Sequence, residues 1–115
     1  MEVLGKVYQV IEAKKGENPV ILDISQVSSF TDYFVLCHGT NPRQNQAICD
    51  AIRERLKQEE RLAPAHVEGY EEADWILMDY LDFIVHIFSR EARDFYKLER
   101  LWSDGVEVDL AGTSA

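Results

Sequence analysis

Residues Ala73–Ser89, ADWILMDYLDFIVHIFS, decide the fold. Two apolar runs, Trp75–Tyr80 and Phe83–Phe88, flank the short break Leu81-Asp82. Both runs are rich in β-branched and aromatic residues and short enough to be strands, so the pair reads as a β-hairpin. With Leu81-Asp82 as a two-residue loop, Tyr80 falls opposite Phe83, Met78 opposite Val85 and Ile76 opposite Ile87. Trp75 then faces Phe88, Leu77 faces His86 and Asp79 faces Ile84. Side chains alternate across a strand, so each set lines one face of the sheet. The first face is apolar apart from the Tyr80 hydroxyl. The second mixes Trp75, Leu77 and Asp79 with His86, an unusual composition for a buried surface. Leu81 is an odd loop residue, because two-residue turns usually need a positive φ supplied by Gly or Asn. In a left-handed conformation it costs about 1 kcal/mol. Either the loop is longer than two residues or Leu81 serves a contact of its own.

Upstream of the hairpin, Val3, Val7, Val10 and Ile11 recur at helical spacing, and the helix ends near Lys14-Lys15 with Gly16 as its cap. Pro19 opens a strand over Val20–Ser25, and Tyr33–His38 reads as a second strand beside it. Asn41 caps a long helix, with Pro42 at its first position and Gln44 completing a capping box. Ile48, Ile52 and Leu56 form its inner stripe, while Arg53, Glu54, Arg55 and Lys57 face water. Ala65–Glu68 reads as a short strand. Downstream of the hairpin, Ala92, Phe95, Leu98 and Trp102 define a last amphipathic helix from about Arg90. The order is helix, two strands, helix, short strand, hairpin, helix: a mixed α/β sandwich with one five-stranded sheet. Residues 1–104 make one domain, and residues 105–115 an acidic, loosely held tail.

The chain has 115 residues, enough for one domain with its own core. Its apolar runs are too short to span a membrane, and the amphipathic N-terminus has no secretory or transit pattern. Cys37 and Cys49 read as reduced, buried thiols of a cytoplasmic protein. Twenty-one Asp and Glu against twelve Lys and Arg give a net charge of −9. Phosphate backbones repel such a protein, so little or no direct nucleic-acid contact is expected and a basic protein partner suits it better.

Three constellations invite chemistry. Asp23, Asp32, Asp79 and Asp82 raise the possibility of a Mg²⁺ site for nucleotidyl transfer, with Gly39-Thr40 cradling a phosphate. A nucleotidyltransferase wants a Gly-Ser turn and then two acids one residue apart on a strand; Asp79 and Asp82 are separated by two residues across a turn. An ordinary capped helix start explains Gly39–Gln44. Cys37-His38 with His86 lacks the Cys-x-x-Cys or His-x-x-x-His spacing of a zinc site, and core cysteines with one semi-buried histidine is the simpler reading. The third constellation is the mixed hairpin face, with Glu68-Gly69 leading into it. There a tryptophan, an aliphatic residue, a carboxylate and a histidine on one patch resemble a protein-recognition surface, aromatic anchors supplying desolvation and charges selecting the partner. The alternative is that a helix covers this face and Trp75 is core.

ILDIS at Ile21–Ser25, SSFTDYFV at Ser28–Val35, Gly39-Thr40, Gln46-Ala47-Ile48, Glu68-Gly69, DWILMDY with D-x-x-V-H-x-F at Asp82–Phe88, and ARDFYKLERLW at Ala92–Trp102 run in order along the chain. This series resembles the ribosomal silencing factor family, also called Iojap. The resemblance implies a nucleotidyltransferase-like fold without the catalytic acids, no cofactor and no metal. It implies binding to the large ribosomal subunit through its ribosomal protein L-fourteen, hindrance of small-subunit joining when nutrients are scarce, and a homodimer. Leu81 departs from the pattern, which usually has Gly between the Tyr and the Asp. The residues expected to meet the partner are Glu68, Trp75, Leu77, Asp79, Tyr80, Asp82 and His86. Competing readings are a small nucleotide-handling transferase using Asp79 and Asp82, and a dimeric scaffold with no role on the ribosome.

Overall fold

Backbone pairing across the hairpin follows the alternation of its side chains. In the computed structural model, which describes residues 2–96 and 106–108 with side chains through Arg93 and at Val108, strand β4 (Trp75–Asp79) pairs antiparallel with β5 (Phe83–Ser89). Trp75 lies opposite Phe88, Leu77 opposite His86 and Asp79 opposite Ile84, as the two-residue loop requires. The Tyr80 N–H donates to the Phe83 carbonyl at 2.9 Å, and the Asp82 N–H donates to the Tyr80 carbonyl at 2.9 Å. That second bond closes a γ-turn around Leu81, whose φ is +75°. The Leu81 N–H is held by Asp79 Oδ1 at 2.8 Å. The loop is therefore two residues long, and Leu81 carries a left-handed strain of roughly 1 kcal/mol while its side chain is 65% exposed.

The remaining elements are α1 (Glu2–Ala13), β1 (Glu17–Asp23), β2 (Tyr33–Gly39), α2 (Pro42–Glu60), β3 (His66–Glu68), α3 (Arg90–Tyr96) and β6 (Val106–Glu107). The sheet order is β3-β4-β5-β2-β1-β6. The β2–β5 pair is parallel, from Tyr33 opposite Phe83 to Gly39 opposite Ser89; the other described pairings are antiparallel. Five strands match the expected sheet. The sixth is a two-residue piece on the outer edge of β1, drawn from the segment read as a tail, and Val108 N–H continues it by donating to the Ile21 carbonyl at 2.8 Å. Phe95 lies in α3 with its side chain outside the described residues, as are Leu98 and Trp102.

Both long helices pack on one face. Leu4, Val7, Val10 and Ile11 of α1 and Ile48, Cys49, Ile52 and Leu56 of α2 meet Ile21, Val35, Ile76, Met78, Tyr80, Phe83, Val85 and Ile87 in the main core. The second face gathers Leu22, Ile24, Phe34, Leu36, Ile84 and Phe88, with Ala92 of α3 upon them and Trp75 and Leu77 at the margin.

Three local readings change. The left-handed residue after α1 is Lys15, φ +63°, rather than Gly16; Gly16 is needed because a Cβ there would lie 2.6 Å from Ile11 Cγ2. Strand β1 starts at Glu17, before Pro19, because a register irregularity between Glu17 and Val20, with Asn18 at φ +47°, absorbs the proline as a bulge. Asn41 does cap α2, accepting the Gln44 N–H at 2.8 Å, but Gln44 Oε1 reaches back one residue further than expected, to the Thr40 N–H at 2.6 Å.

Gly39 sits where β2 turns into α2, and a Cβ on it would overlap Oδ1 of Asn45. Asn45 has no room to give: it is fully buried, and its Nδ2 donates to the Ala73 carbonyl at 2.8 Å and the Phe88 carbonyl at 3.2 Å. Gly39→Ala is expected to lower stability by about 2 kcal/mol, the scale of overpacking a tight core. Urea unfolding measures this, and an unchanged midpoint would show that the α2 start yields.

Candidate functional site

The mixed face of the hairpin carries most of the residues that the sequence singles out. Directly opposed residues of neighbouring strands share a sheet face, so Glu68 and His66 of β3 stand beside Leu77 and Asp79 of β4. Trp75 and Leu77 are half-buried, Asp79 is partly exposed, and Glu68 and Asp82 are exposed. Helices α1 and α2 lie on the opposite face, so they leave this row uncovered. Along β4 the row Trp75, Leu77, Asp79 continues to Leu81 at the tip, a strip of roughly 20 Å at the rise of an extended strand.

Two expected contact residues lie beneath the surface. Tyr80 is 4% exposed and belongs to the helix-covered face, stacked on Phe83 with ring centroids 4.9 Å apart. The end of β4 turns it inward, so its side chain backs the tip instead of meeting a partner. His86 is 3% exposed, more deeply placed than the semi-buried histidine expected. Its Nδ1 accepts the Trp75 indole N–H at 3.0 Å, which puts the proton on Nε2. The ring stacks at 8° on Phe88 and meets Phe34 edge to face at 4.6 Å. Its Nε2 has no hydrogen-bond partner. Burial without a compensating charge drops the His86 pKa to about 3, so the ring is neutral at every physiological pH. His86 thus holds the indole of Trp75 in one orientation and does not itself recognise a charge.

Two of the four candidate carboxylates, the start of α2 and Cys37-His38 have structural surroundings, while Asp32 and Asp82 are exposed. Asp23 Oδ1 accepts from the Ser25 N–H at 2.9 Å and hydroxyl at 2.6 Å, which lowers its pKa, and Asp79 Oδ1 accepts the Leu81 N–H. The amides at the start of α2 that a phosphate would need are taken by Asn41 and Gln44. Cys37 and His38, adjacent on β2, point to opposite faces; burial pushes the Cys37 thiol up to about 12 and the Cys49 thiol up to about 11. His38 Nε2 lies 3.2 Å from Glu17 Oε1, and its Nδ1 lies 3.1 Å from the Arg93 guanidinium, which also donates to the Asn18 carbonyl at 2.7 Å. These contacts fasten α3 to the sheet. Burial first, and Arg93 next, lower the His38 pKa.

The distribution of charge along the sequence bears on this face as well. No lysine or arginine occurs between Lys15 and Arg43, nor between Arg61 and Arg90. These two segments hold five strands and nine acids: Glu17, Asp23 and Asp32 in the first, and Glu68, Glu71, Glu72, Asp74, Asp79 and Asp82 in the second. Among the described residues the lysines and arginines lie in the helices or within two residues of their ends. The strands and the turns between them are therefore acidic, while α3, on the same face as the mixed row, brings Arg90 and Arg93.

A half-buried tryptophan pinned by a neutral histidine, beside an aliphatic residue and the carboxylates of Glu68 and Asp79, has the make-up of a protein-recognition surface on an α/β scaffold. The chain belongs to the family described as "Ribosomal silencing factor during starvation", whose model matches residues 1–115. It is 37% identical over 111 residues to "Ribosomal silencing factor RsfS" of Halalkalibacterium halodurans, covering 96% of this chain and 94% of that protein. A more distant relative, "Mitochondrial assembly of ribosomal large subunit protein 1" of Mus musculus, is 28% identical over 96 residues, covering 82% of this chain and 42% of that protein. The fold matches a crystal structure of a protein from Chromobacterium violaceum with a TM-score of 0.85 and 28% identity, over 89% of this chain and 84% of that one.

His86 and His38 give the fold a testable pH dependence. In the unfolded chain each titrates near 6.5, whereas in the fold both pKa values are depressed. Below that pH the unfolded chain binds protons that the folded chain refuses, so stability is complete above about pH 7 and is lost as pH falls. His86 alone should account for about 2 kcal/mol between pH 7.5 and pH 5. Urea midpoints at the two pH values should differ accordingly, with a smaller difference in His86→Phe. Equal midpoints for the native chain would contradict the buried neutral ring.

Proposed function

We infer that this chain silences translation by docking on the large ribosomal subunit through ribosomal protein L-fourteen and preventing the small subunit from joining when nutrients are scarce. The observation that carries this reading is the mixed sheet face, Trp75, Leu77 and Asp79 with Glu68 and Asp82 at its margins, set in a surface whose strands bear acids and no lysine or arginine. A factor docking on ribosomal RNA needs positive charge, whereas one docking on a basic ribosomal protein needs the reverse. Family membership and the names of the relatives support a ribosomal setting. A cytoplasmic setting belongs to the same proposal, supported by the bacterial ribosomal silencing factor among the relatives.

Blocking requires volume and no chemical step. The chain measures 34 × 33 × 28 Å, and a folded body of that size seated on the joining face excludes the other subunit wherever it overlaps a bridge. Inhibition should then follow occupancy of the large subunit and need no nucleotide. A homodimer belongs to the same proposal. Two copies meeting through the acidic hairpin end would repel, so its contact lies elsewhere on the chain. Light scattering at high micromolar concentration tests it, and a monomer alone would remove it.

Purified large and small subunits mixed with excess protein and sedimented give the decisive comparison. The native chain should shift joined ribosomes to free subunits. Trp75→Ala should bind about 2 kcal/mol more weakly, as loss of an aromatic anchor does, and leave joining intact at the same concentration. Unchanged joining with the native protein demonstrably bound would overturn the proposal. Unfolding of Trp75→Ala would return Trp75 to the core.

A further inference from the structure

The end of the sheet that carries the hairpin turn exposes apolar side chains held in well-bonded turns. Among the described residues the exposed large hydrophobics are Val27, Phe30 and Leu81, at 42%, 60% and 65% exposure. All three lie at one end of the sheet. Strands β2 and β5 start side by side there, and the Asp32 N–H donates to the Asp82 carbonyl at 3.0 Å, tying the loop that follows β1 to the hairpin turn. Phe30 leans toward the mixed face, its ring centroid 6.3 Å from that of Phe34.

Neither turn is slack. In the first, Ile24 is 1% exposed and its carbonyl accepts the N–H groups of Val27 and Ser28 at 3.0 and 2.8 Å; Ser28 Oγ accepts those of Phe30 and Thr31 at 3.2 and 3.4 Å. In the second, the γ-turn and Asp79 Oδ1 hold Leu81 in a left-handed conformation that a β-carbon disfavours. A glycine would relieve that strain, and the fold gains little from a side chain left in water. Strain held in place by surrounding bonds, around an exposed apolar group, marks a contact made outside the chain.

We propose that Leu81, with Phe30 and Val27 beside it, is an apolar anchor that seats in a hollow of a basic protein surface, at the far end of the strip that begins at Trp75. The inference rests on the reading above that this side docks on a basic ribosomal protein, and it names how the far end of the contact is made. Charge selects the occupant. Asp32 and Asp82 are exposed at this end, Asp23 and Asp79 flank it, and the strands and turns that build it contain no lysine or arginine. A second copy would bring the same acids against themselves, and a nucleic acid would bring phosphates against carboxylates and leave the leucine without a partner. A basic protein surface with an apolar hollow satisfies both the acids and the side chains.

Leu81→Gly separates binding from folding, because it removes the side chain and the strain together. Its urea midpoint should equal or exceed that of the native chain, while its Kd for purified large subunits should rise about tenfold, the effect of losing one buried leucine contact. Leu81→Asn, which tolerates a left-handed φ, and Phe30→Ser should weaken binding in the same direction, and rising salt should weaken the native complex. Native affinity in Leu81→Gly and Phe30→Ser, with the native protein still bound and still blocking joining, would overturn the anchor and leave the silencing reading standing. Failure of the native chain to bind large subunits would overturn both. Loss of self-association in Leu81→Gly with subunit binding unchanged would show the occupant to be a second copy and overturn the assignment.

Discussion

The parallel pairing of β2 with β5 is the constraint on which the rest of the structure depends. Seven consecutive residues of each strand match, from Tyr33 opposite Phe83 to Gly39 opposite Ser89, across about fifty residues of chain. Parallel neighbours need a crossover, and the only long helix between these strands is α2. The crossover sets α2 on the same face as α1, and the two helices bury that face completely. At the far end of the pair, Asn45 ties the start of α2 to the carbonyls of Ala73 and Phe88 and so fixes where the hairpin enters and leaves the sheet.

The surface proposed as the docking side is a consequence of that arrangement. With both long helices on one side, β4 and the three-residue β3 hold the edge, and α1 and α2 do not cover their outward row. A sheet edge with a half-buried Trp and Leu is an aggregation hazard, and the acids of this side oppose that by repelling further copies. The same acids favour a basic partner. Aromatic contact supplies the desolvation, charge supplies the selection, and the neutral His86 beneath keeps Trp75 in a fixed pose before any partner arrives, which lowers the ordering cost of binding.

Local chemistry made much of this legible in the sequence. The hairpin and its register followed from two apolar runs and a two-residue break, and Asn41-Pro42 marked the start of α2 through capping alone. The parallel pair did not show, because nothing in Tyr33–His38 or Phe83–Phe88 states which strand lies beside which; that choice is made by the crossover. At the site, alternation placed Trp75, Leu77 and Asp79 on one face correctly. It gave no measure of depth, so His86 and Tyr80 looked available when the one lies under Trp75 and Phe34 and the other stacks inward on Phe83. The absence of basic residues from the sheet segments was visible, but its meaning depends on the topology that gathers them into one sheet. Leu81 stood out from the first as a poor turn residue, and the γ-turn turns that oddity into a located strain.

Hydrogen–deuterium exchange of the free chain and of the chain bound to large ribosomal subunits tests most directly whether the mixed face of the sheet is the docking side. The account predicts added protection at the exposed amides of the loop preceding β2, at the Glu68–Asp74 segment and at the hairpin turn, with α1 and the outer face of α2 unchanged. Protection confined to α1 and α2, with these turns exchanging as in the free chain, would contradict it.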